Sequence, residues 1–271
     1  MKRSAWSTVA GFLIYVFMLL PVAIIIWMAF FDQPYLNFPP KGYSLRWFAG
    51  LANEAELFRG LLYSLEIAVV ATIVSLLLGV SAAVVLSRAR LRGQALLENA
   101  FLLPLVIPAI VSGMAIYIYL YQLSGVLQAG LVPSTWSLVA AHVMITLPWT
   151  FRLTYAGAVA IGHDVERASL DLGRKPIGTL LRVTLPLLRP SLIGAGIFAF
   201  IFSFGDLEIS LFLISPGQIT LPVAMVQYAE FKVDPTIAAM ATVQIVLVAV
   251  LLAVANKFIR FGEAFSGGIK Q

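Results

Sequence analysis

Residues 162–186 read Gly162-His163-Asp164-Val165-Glu166-Arg167-Ala168-Ser169-Leu170-Asp171-Leu172-Gly173-Arg174-Lys175-Pro176-Ile177-Gly178-Thr179-Leu180-Leu181-Arg182-Val183-Thr184-Leu185-Pro186. Long apolar blocks lie on both sides, near residues 135–159 and 191–214. A few residues suffice to join two antiparallel helices, yet the link here, residues 161–190, is polar, basic and helix-compatible. Asp164 can cap a short helix whose first turn holds Glu166, where an acidic group favours the helix dipole. Gly173 suits the C-terminal turn, and Pro176 can open a second short helix. Leu181 and Leu185 share a face of that helix, and Pro186 is expected to end it. The stretch therefore predicts a helix–turn–helix at a membrane surface. It either docks a protein partner or lies on lipid headgroups.

Four more apolar blocks flank this pair, at residues 8–30, 61–86, 99–121 and 236–259. The second, fifth and sixth of the six are the clearest helices. A span needs about 20 apolar residues, so the chain is expected to be an all-α integral membrane protein of about six transmembrane helices, a single domain over residues 1–271. Hydrophobic residues make up 61% and charged residues 11%, against about 25% charged in soluble domains, which leaves no room for a soluble catalytic domain. The first block, after Lys2 and Arg3, is too long for a signal-peptide core and has no small-residue cleavage site, so it reads as an uncleaved anchor. With the N-terminus placed inside, only Lys41, Arg46, Arg59 and Lys232 of the 18 basic residues fall outside. That asymmetry predicts both termini on the cytoplasmic side. It also explains the net charge of +5 without nucleic acid. Pro21, Pro104, Pro108 and Pro148 interrupt the apolar blocks, where neighbouring helices or water can satisfy the freed carbonyls.

With no cysteine in the chain, disulfides, thiol catalysis and cysteine-bound metals are excluded. His142 and His163 are too few and too scattered for a metal site. No glycine-rich loop is followed by Lys-Ser or Lys-Thr, so any ATP and magnesium must sit on another chain. No catalytic cluster is visible, and no bond chemistry is expected of this chain. Three acidic residues, Glu66, Asp206 and Glu208, fall inside the anticipated spans, with no Lys or Arg deep enough to pair with them. An ionisable group at bilayer depth costs about 2.5–3.5 kcal/mol on insertion scales unless it faces protein or water. Asp206 continues a small-residue stripe of Ala195, Ala199 and Ser203, of the kind that lets helices approach closely. Glu208 points elsewhere on an ideal helix and requires an unwound segment near Gly205 or a different neighbour. Glu66 sits near the start of its span, where a carboxylate can snorkel. These three and Ser203 are the candidates for a pathway that would suit a cation. Phe198, Phe200, Phe202 and Phe204 alternate along the same helix and either line that pathway or pack against lipid and core.

Counting from Gly173, nine residues lead to Val183, and Thr184 precedes Leu185-Pro186. This spacing resembles the cytoplasmic loop of type I, binding-protein-dependent ABC importer permeases, whose pattern is Glu-Ala-Ala, three residues, Gly, nine residues, Ile, one residue, Leu-Pro. Arg167-Ala168-Ser169 stand in the Glu-Ala-Ala register, so arginine occupies the glutamate position and Glu166 lies one residue earlier. Within the family the chain is most similar to the spermidine/putrescine type. Residues 87–93, the Asp206 region, and the segments 215–217 and 220–222 carry that likeness. The resemblance implies a second permease, identical or paralogous, two ATPase subunits and an extracytoplasmic binding protein, in a bacterial inner membrane. It assigns Glu166, Arg167, Ala168, Ser169, Gly173, Arg174, Val183, Leu185 and Pro186 to ATPase coupling. The implied substrate is a small organic cation such as spermidine or putrescine, with aminoalkylphosphonate or ferric iron as the alternative. A secondary transporter using Asp206 and Glu208 as a proton relay would leave the long inner loop unexplained.

Overall fold

A bare backbone amide finds no partner in lipid, so an apolar run satisfies its own hydrogen bonds as a helix. The computed structural model describes residues 5–266 except 36, 90 and 216, with side chains described between Val9 and Phe258. Lys2, Arg3, Arg90, Pro216 and Lys270, which entered the orientation and family readings, lie outside the described residues. In chain order the helices are α1 (Ala5–Met28), α2 (Arg46–Gly50), α3 (Ala55–Arg88), α4 (Gln94–Leu102), α5 (Ala109–Leu127), α6 (Thr135–Ile161), α7 (Asp164–Asp171), α8 (Pro176–Thr179), α9 (Leu185–Leu187), α10 (Arg189–Phe204), α11 (Ser210–Leu213), α12 (Leu221–Phe231) and α13 (Thr236–Ser266). A π-helical turn, Leu180–Thr184, joins α8 to α9.

Four segments are long and apolar enough to cross a membrane alone: Val9–Met28, Ala55–Arg88, Ala109–Leu127 and Thr236–Phe258. A fifth crossing arises if the bent pair Pro176–Leu187 and Arg189–Phe204, inclined at 70°, counts as one span. The remaining anticipated block, residues 135–159, is the continuous helix α6. It has the length but not the apolarity, because it carries Ser137, His142, Thr146, Thr150 and Thr154, all of which are buried in the protein.

Two expected helices are broken. The block 99–121 is not one helix: α4 passes into a 3-10 turn at Leu103–Leu105, and Pro108, with ψ 133°, precedes α5. Two prolines within five residues each withhold an amide hydrogen, which the helix ladder cannot absorb. The block 191–214 ends as a helix at Phe204 and resumes only at Ser210. Pro21 and Pro148, in contrast, sit inside unbroken helices.

Contacts divide the chain into two compact units, Met1–Arg59 with Ala224–Ala249, and Gly60–Val223 with Val250–Gln271. In the first, α1 leaves its side chains exposed, Phe17 at 78%, as a lipid-facing helix does. The chain beyond it folds into an aromatic knot. Trp27 Nε1 donates to the Tyr43 hydroxyl at 3.1 Å and Trp47 Nε1 donates to the Phe31 carbonyl at 2.7 Å. Trp and Tyr favour membrane interfaces for this combination of apolar ring and polar tip. Two basic residues of this unit are paired, Arg46 with Asp32 at 3.3 Å and Lys232 with Glu54 at 3.2 Å.

The second unit is organised around α6. Ser75 of α3 and Thr150 of α6 lie 2.9 Å apart, and Thr150 also bonds the Ser75 carbonyl at 2.9 Å. A Cβ at Gly79 would meet Thr150 and come within 2.9 Å of the Phe151 backbone nitrogen. Along α10, Ala195, Ala199 and Ser203 are buried, as the small-residue stripe anticipates. Trp149 stacks on Phe202 with centroids 4.6 Å apart. We expect Gly79→Val to destabilise this unit by about 1–3 kcal/mol through overpacking, visible as a lower thermal midpoint in detergent. Gly194→Ala, where an added Cβ meets nothing within 4 Å, serves as the control and should not lower it.

Candidate functional site

The break after α10 collects polar groups at the heart of the second unit. Gly205 closes the helix, its amide bonding the Ile201 carbonyl at 3.1 Å. The chain then runs irregularly to α11, which is the unwound segment that Glu208 required. Asp206 folds inward: its side chain is 8% exposed, and its Oδ2 accepts from the Ser210 amide at 3.0 Å and the Ser210 hydroxyl at 3.1 Å. Glu208 turns the other way. Its Oε2 accepts from the Ile110 amide at 3.0 Å, in the first turn of α5, whose N-cap Pro108 has no side-chain cap. A carboxylate there satisfies an orphan amide and the positive end of the dipole together. Gly113 permits this approach, since a Cβ on it would fall 3.0 Å from the Ile209 Cα.

A cavity of about 650 Å³ opens at the break, lined by Pro104, Pro108, Ile145, Trp149, Asp206 and Glu208 among others. Its only charged lining residues, among those described, are the two carboxylates. Of the sequence-derived pathway candidates, Ser203 is buried in the last turn of α10 and is not part of the lining, while Asp206 and Glu208 line the cavity. Glu66 does not: it is exposed on α3 and does not line the cavity. Reading the sequence missed His142 of α6, which is 1% exposed, with Nδ1 2.8 Å from Ser203 Oγ and Nε2 3.1 Å from Ser210 Oγ. The signal was present, because an ionisable residue within a membrane span is a functional candidate by default.

The linker 161–190 forms two short helical pieces around Gly173, as expected. Gly173 has φ +82°. Its amide donates to the Leu170 carbonyl at 2.8 Å, and the Arg174 amide donates to the Ser169 carbonyl at 3.2 Å. This is the Schellman pattern, which needs a left-handed residue at that position. Pro176 opens α8 as anticipated. Two details differ. Asp164 does not cap α7, since it is the first helical residue, preceded by His163, and no side-chain cap bond forms. Nor does Pro186 end the second piece. The π-turn widens the helix just before it and Pro186 sits inside α9, so the direction changes after Leu187 instead.

Glu166 faces the protein rather than outward. Arg88 Nε and Nη2, at the end of α3, donate to its two oxygens at 2.8 and 2.7 Å, and the Thr184 hydroxyl donates at 2.6 Å. The Arg88 hydrogen bond holds the Glu166 carboxyl below its ordinary value against the opposing effect of burial, with Thr184 assisting. Arg88 Nη1 also donates to the Ala158 carbonyl at 3.1 Å, so one guanidinium joins α3, α6 and α7. Ser169 pairs with Thr179 at 3.0 Å, locking α7 to α8. Arg167, in the register of the family glutamate, is 68% exposed and only loosely paired with Asp164 at 3.9 Å. Ala168 and Arg174 are exposed, while Val183, Leu185 and Pro186 are half-buried. Exposed apolar knobs stand beside them, Leu172 at 89% and Ile177 at 71%. Sequence reading missed Arg88 and Thr184 as partners of this loop.

The chain is 33% identical over 96% of its length, and 95% of the relative, to a candidate 2-aminoethylphosphonate transport system permease protein, PhnV, of Salmonella typhimurium. It is 28% identical over 89% of its length, and 85% of the relative, to the putrescine transport system permease protein PotI of Escherichia coli. Against the spermidine/putrescine transport system permease protein PotC of Escherichia coli it is 27% identical, with 88% of each chain covered. Among solved structures it shares its fold with a chain of a bacterial ABC transporter involved in the import of the acidic polysaccharide alginate. The TM-score there is 0.71 at 16% identity, covering 95% of this chain and 98% of that one. Residues 75–261 match the family described as binding-protein-dependent transport system inner membrane component. That match takes in the loop at residues 161–190, the broken helix and the carboxylate-lined cavity alike, and the chain belongs to this family, the permease subunits of ABC importers.

Proposed function

We propose that this permease carries a small organic cation bearing a primary ammonium, with a polyamine such as putrescine as the first choice. The observation that carries the reading is the cavity at the α10 break, whose charged lining consists of Asp206 and Glu208. Carboxylates in a low-dielectric wall attract a cation more strongly than in water. Trp149 and Phe202 add aromatic faces to the same wall, and ammonium groups favour these. Putrescine, spermidine and 2-aminoethylphosphonate, named for the relatives PotI, PotC and PhnV, have a short alkyl chain with a primary amine in common. The greater identity to PhnV favours aminoalkylphosphonate as a second reading, although a phosphonate would be repelled by both carboxylates.

The working assembly is two permeases, two ATPases docked on the loops at residues 161–190, and an extracytoplasmic binding protein. ATP and magnesium reside on the ATPases. Both termini face the cytoplasm of an inner membrane. Arg167, Arg174 and the exposed Leu172 and Ile177 present the ATPase contact, while Glu166 holds the loop to the bundle. ATPase closure moves the loop and, through it, α6 and α10.

Asp206→Asn tests the pathway role. The amide oxygen can still accept from the Ser210 amide, so the complex should assemble, while uptake of radiolabelled putrescine falls about tenfold, as for a lost charge-assisted contact. Undiminished uptake by that variant removes Asp206 from the pathway. Competition between putrescine and 2-aminoethylphosphonate in the unmutated complex decides between the two substrates.

A further inference from the structure

The hydrogen bonds around His142 link two serines, and through one of them Asp206. The Ser210 hydroxyl has three groups within reach that can accept its proton, the Asp206 carbonyl, Asp206 Oδ2 and His142 Nε2, each at 3.1 Å. A carboxylate only accepts, whereas a ring nitrogen can donate, so the single Ser210 proton is assigned to Asp206, the arrangement that satisfies both the carboxylate and the ring. In that arrangement Ser210 Oγ accepts from His142 Nε2, 3.1 Å away. With its proton on Nε2, a neutral imidazole accepts at Nδ1, and Ser203 donates there at 2.8 Å. The chain of donors therefore runs from Ser203 to His142 to Ser210 to Asp206. Every member but Asp206 is at most 3% exposed, and Ser210 is fully buried. The four residues come from α6, the last turn of α10, the break and α11. On its other side the break is fixed by Glu208 on the α5 amide.

We infer that His142 is a positioning residue of the substrate site: it orients Ser210, and through Ser210 it fixes which way Asp206 presents its carboxylate to the cavity. The inference rests on the reading of Asp206 as a pathway residue. A packing role alone would need the ring's volume but not its Nε2 proton. Burial of an unmet donor or acceptor is costly, so the completeness of this chain of bonds holds the side chains in one arrangement.

Two substitutions separate the ring's nitrogens. The terminal amide of Asn reaches the place of Nδ1 and preserves only the Ser203 bond. That of Gln reaches the place of Nε2 and preserves the bond to Ser210. The experiment uses the complete importer with its binding protein in proteoliposomes and measures solute moved per ATP hydrolysed. The probe is whichever of putrescine or 2-aminoethylphosphonate the unmutated complex takes up. His142→Gln is expected to stay within about twofold of the unmutated ratio, while His142→Asn loses about tenfold, with hydrolysis itself little changed. Ser210→Ala should match the Asn variant, and Ser203→Ala should match the Gln variant. Equal ratios for Gln and Asn, or a lowered ratio in Ser203→Ala alone, overturn the positioning role. Asp206→Asn run in parallel keeps the two claims apart. If it transports normally, the pathway reading fails. If it is impaired while Gln and Asn behave alike, only the role of His142 fails.

Discussion

Arg88→Ala is expected to abolish most substrate-stimulated ATP hydrolysis while leaving the membrane helices folded. The guanidinium makes two short bonds to Glu166 and a third to the Ala158 carbonyl, and the paired side chains are 19% and 16% exposed. Removing a partner from a buried pair costs about 3–5 kcal/mol, because the remaining charge stays buried and unmet. Partial exposure and the surviving Thr184 bond reduce this to about 2 kcal/mol here. That is enough to release α7 from the end of α3, so a force on the loop no longer reaches the bundle. Arg88→Lys should recover only part of the coupling, since an ammonium cannot reproduce the two-pronged geometry. The check is ATPase activity of the assembled complex with and without loaded binding protein. The pH dependence follows from the same pair. Because the folded Glu166 carboxyl titrates below its ordinary 4.5, its contribution is complete above that value and is lost only as pH falls through the depressed folded value. Coupling in the unmutated complex should therefore not weaken through this pair between pH 8 and 5, whereas the Arg88→Ala defect is present throughout.

Gly173→Pro is expected to be comparably severe, for a reason confined to the backbone. Proline fixes φ near −65°, whereas this position has φ +82°, and it also removes the amide that bonds the Leu170 carbonyl. It further disfavours the near-helical Leu172 before it. The end of α7 should unravel at a cost of about 3 kcal/mol or more, with stimulated hydrolysis lost. Gly173→Ala separates strain from crowding. An added Cβ meets nothing within 4 Å, so only the left-handed penalty of about 1–2 kcal/mol remains. Gly173→Asn should lie closest to the unmutated protein, since Asn tolerates that region. Hydrogen exchange across residues 164–172 reports each step, and normal coupling in the proline variant would argue against the loop as the transmission element.

How much of this was legible in the sequence depended on how local the deciding interaction is. The two-helix frame around Gly173 was readable because Gly173 and Pro176 set it through their own backbones. The spans α1, α3 and α13 were readable from apolarity alone. Asp206 and Glu208 were readable because charge in an apolar block stands out, and Ser203 because it continues the stripe of Ala195 and Ala199. The break at Gly205 was foreseen only as one option, since no proline imposes it. It is maintained by Glu208 on an amide 98 positions away. His142 was dismissed because its partners, Ser203 and Ser210, lie 61 and 68 positions along the chain. Arg88 was counted as a topology signal, and its partner is 78 positions distant. The assumption that Pro186 must end a helix failed because a wider π-turn accommodates the ring without stopping the chain.

The 70° bend after α9 makes the loop and α10 the two arms of a crank. Leu188 at the elbow is fully buried, which makes it a bearing held by its surroundings. The outer arm, 16 residues long, spans about 24 Å at 1.5 Å per residue, so a tilt of about 10° at the elbow sweeps its far end through about 4 Å. That sweep exceeds the length of any single hydrogen bond holding the break, and the end that moves is the one carrying Ser203 and leading into Asp206. A small stroke at the loop is thereby geared into a displacement, at the cavity end of α10, large enough to make or unmake the contacts there.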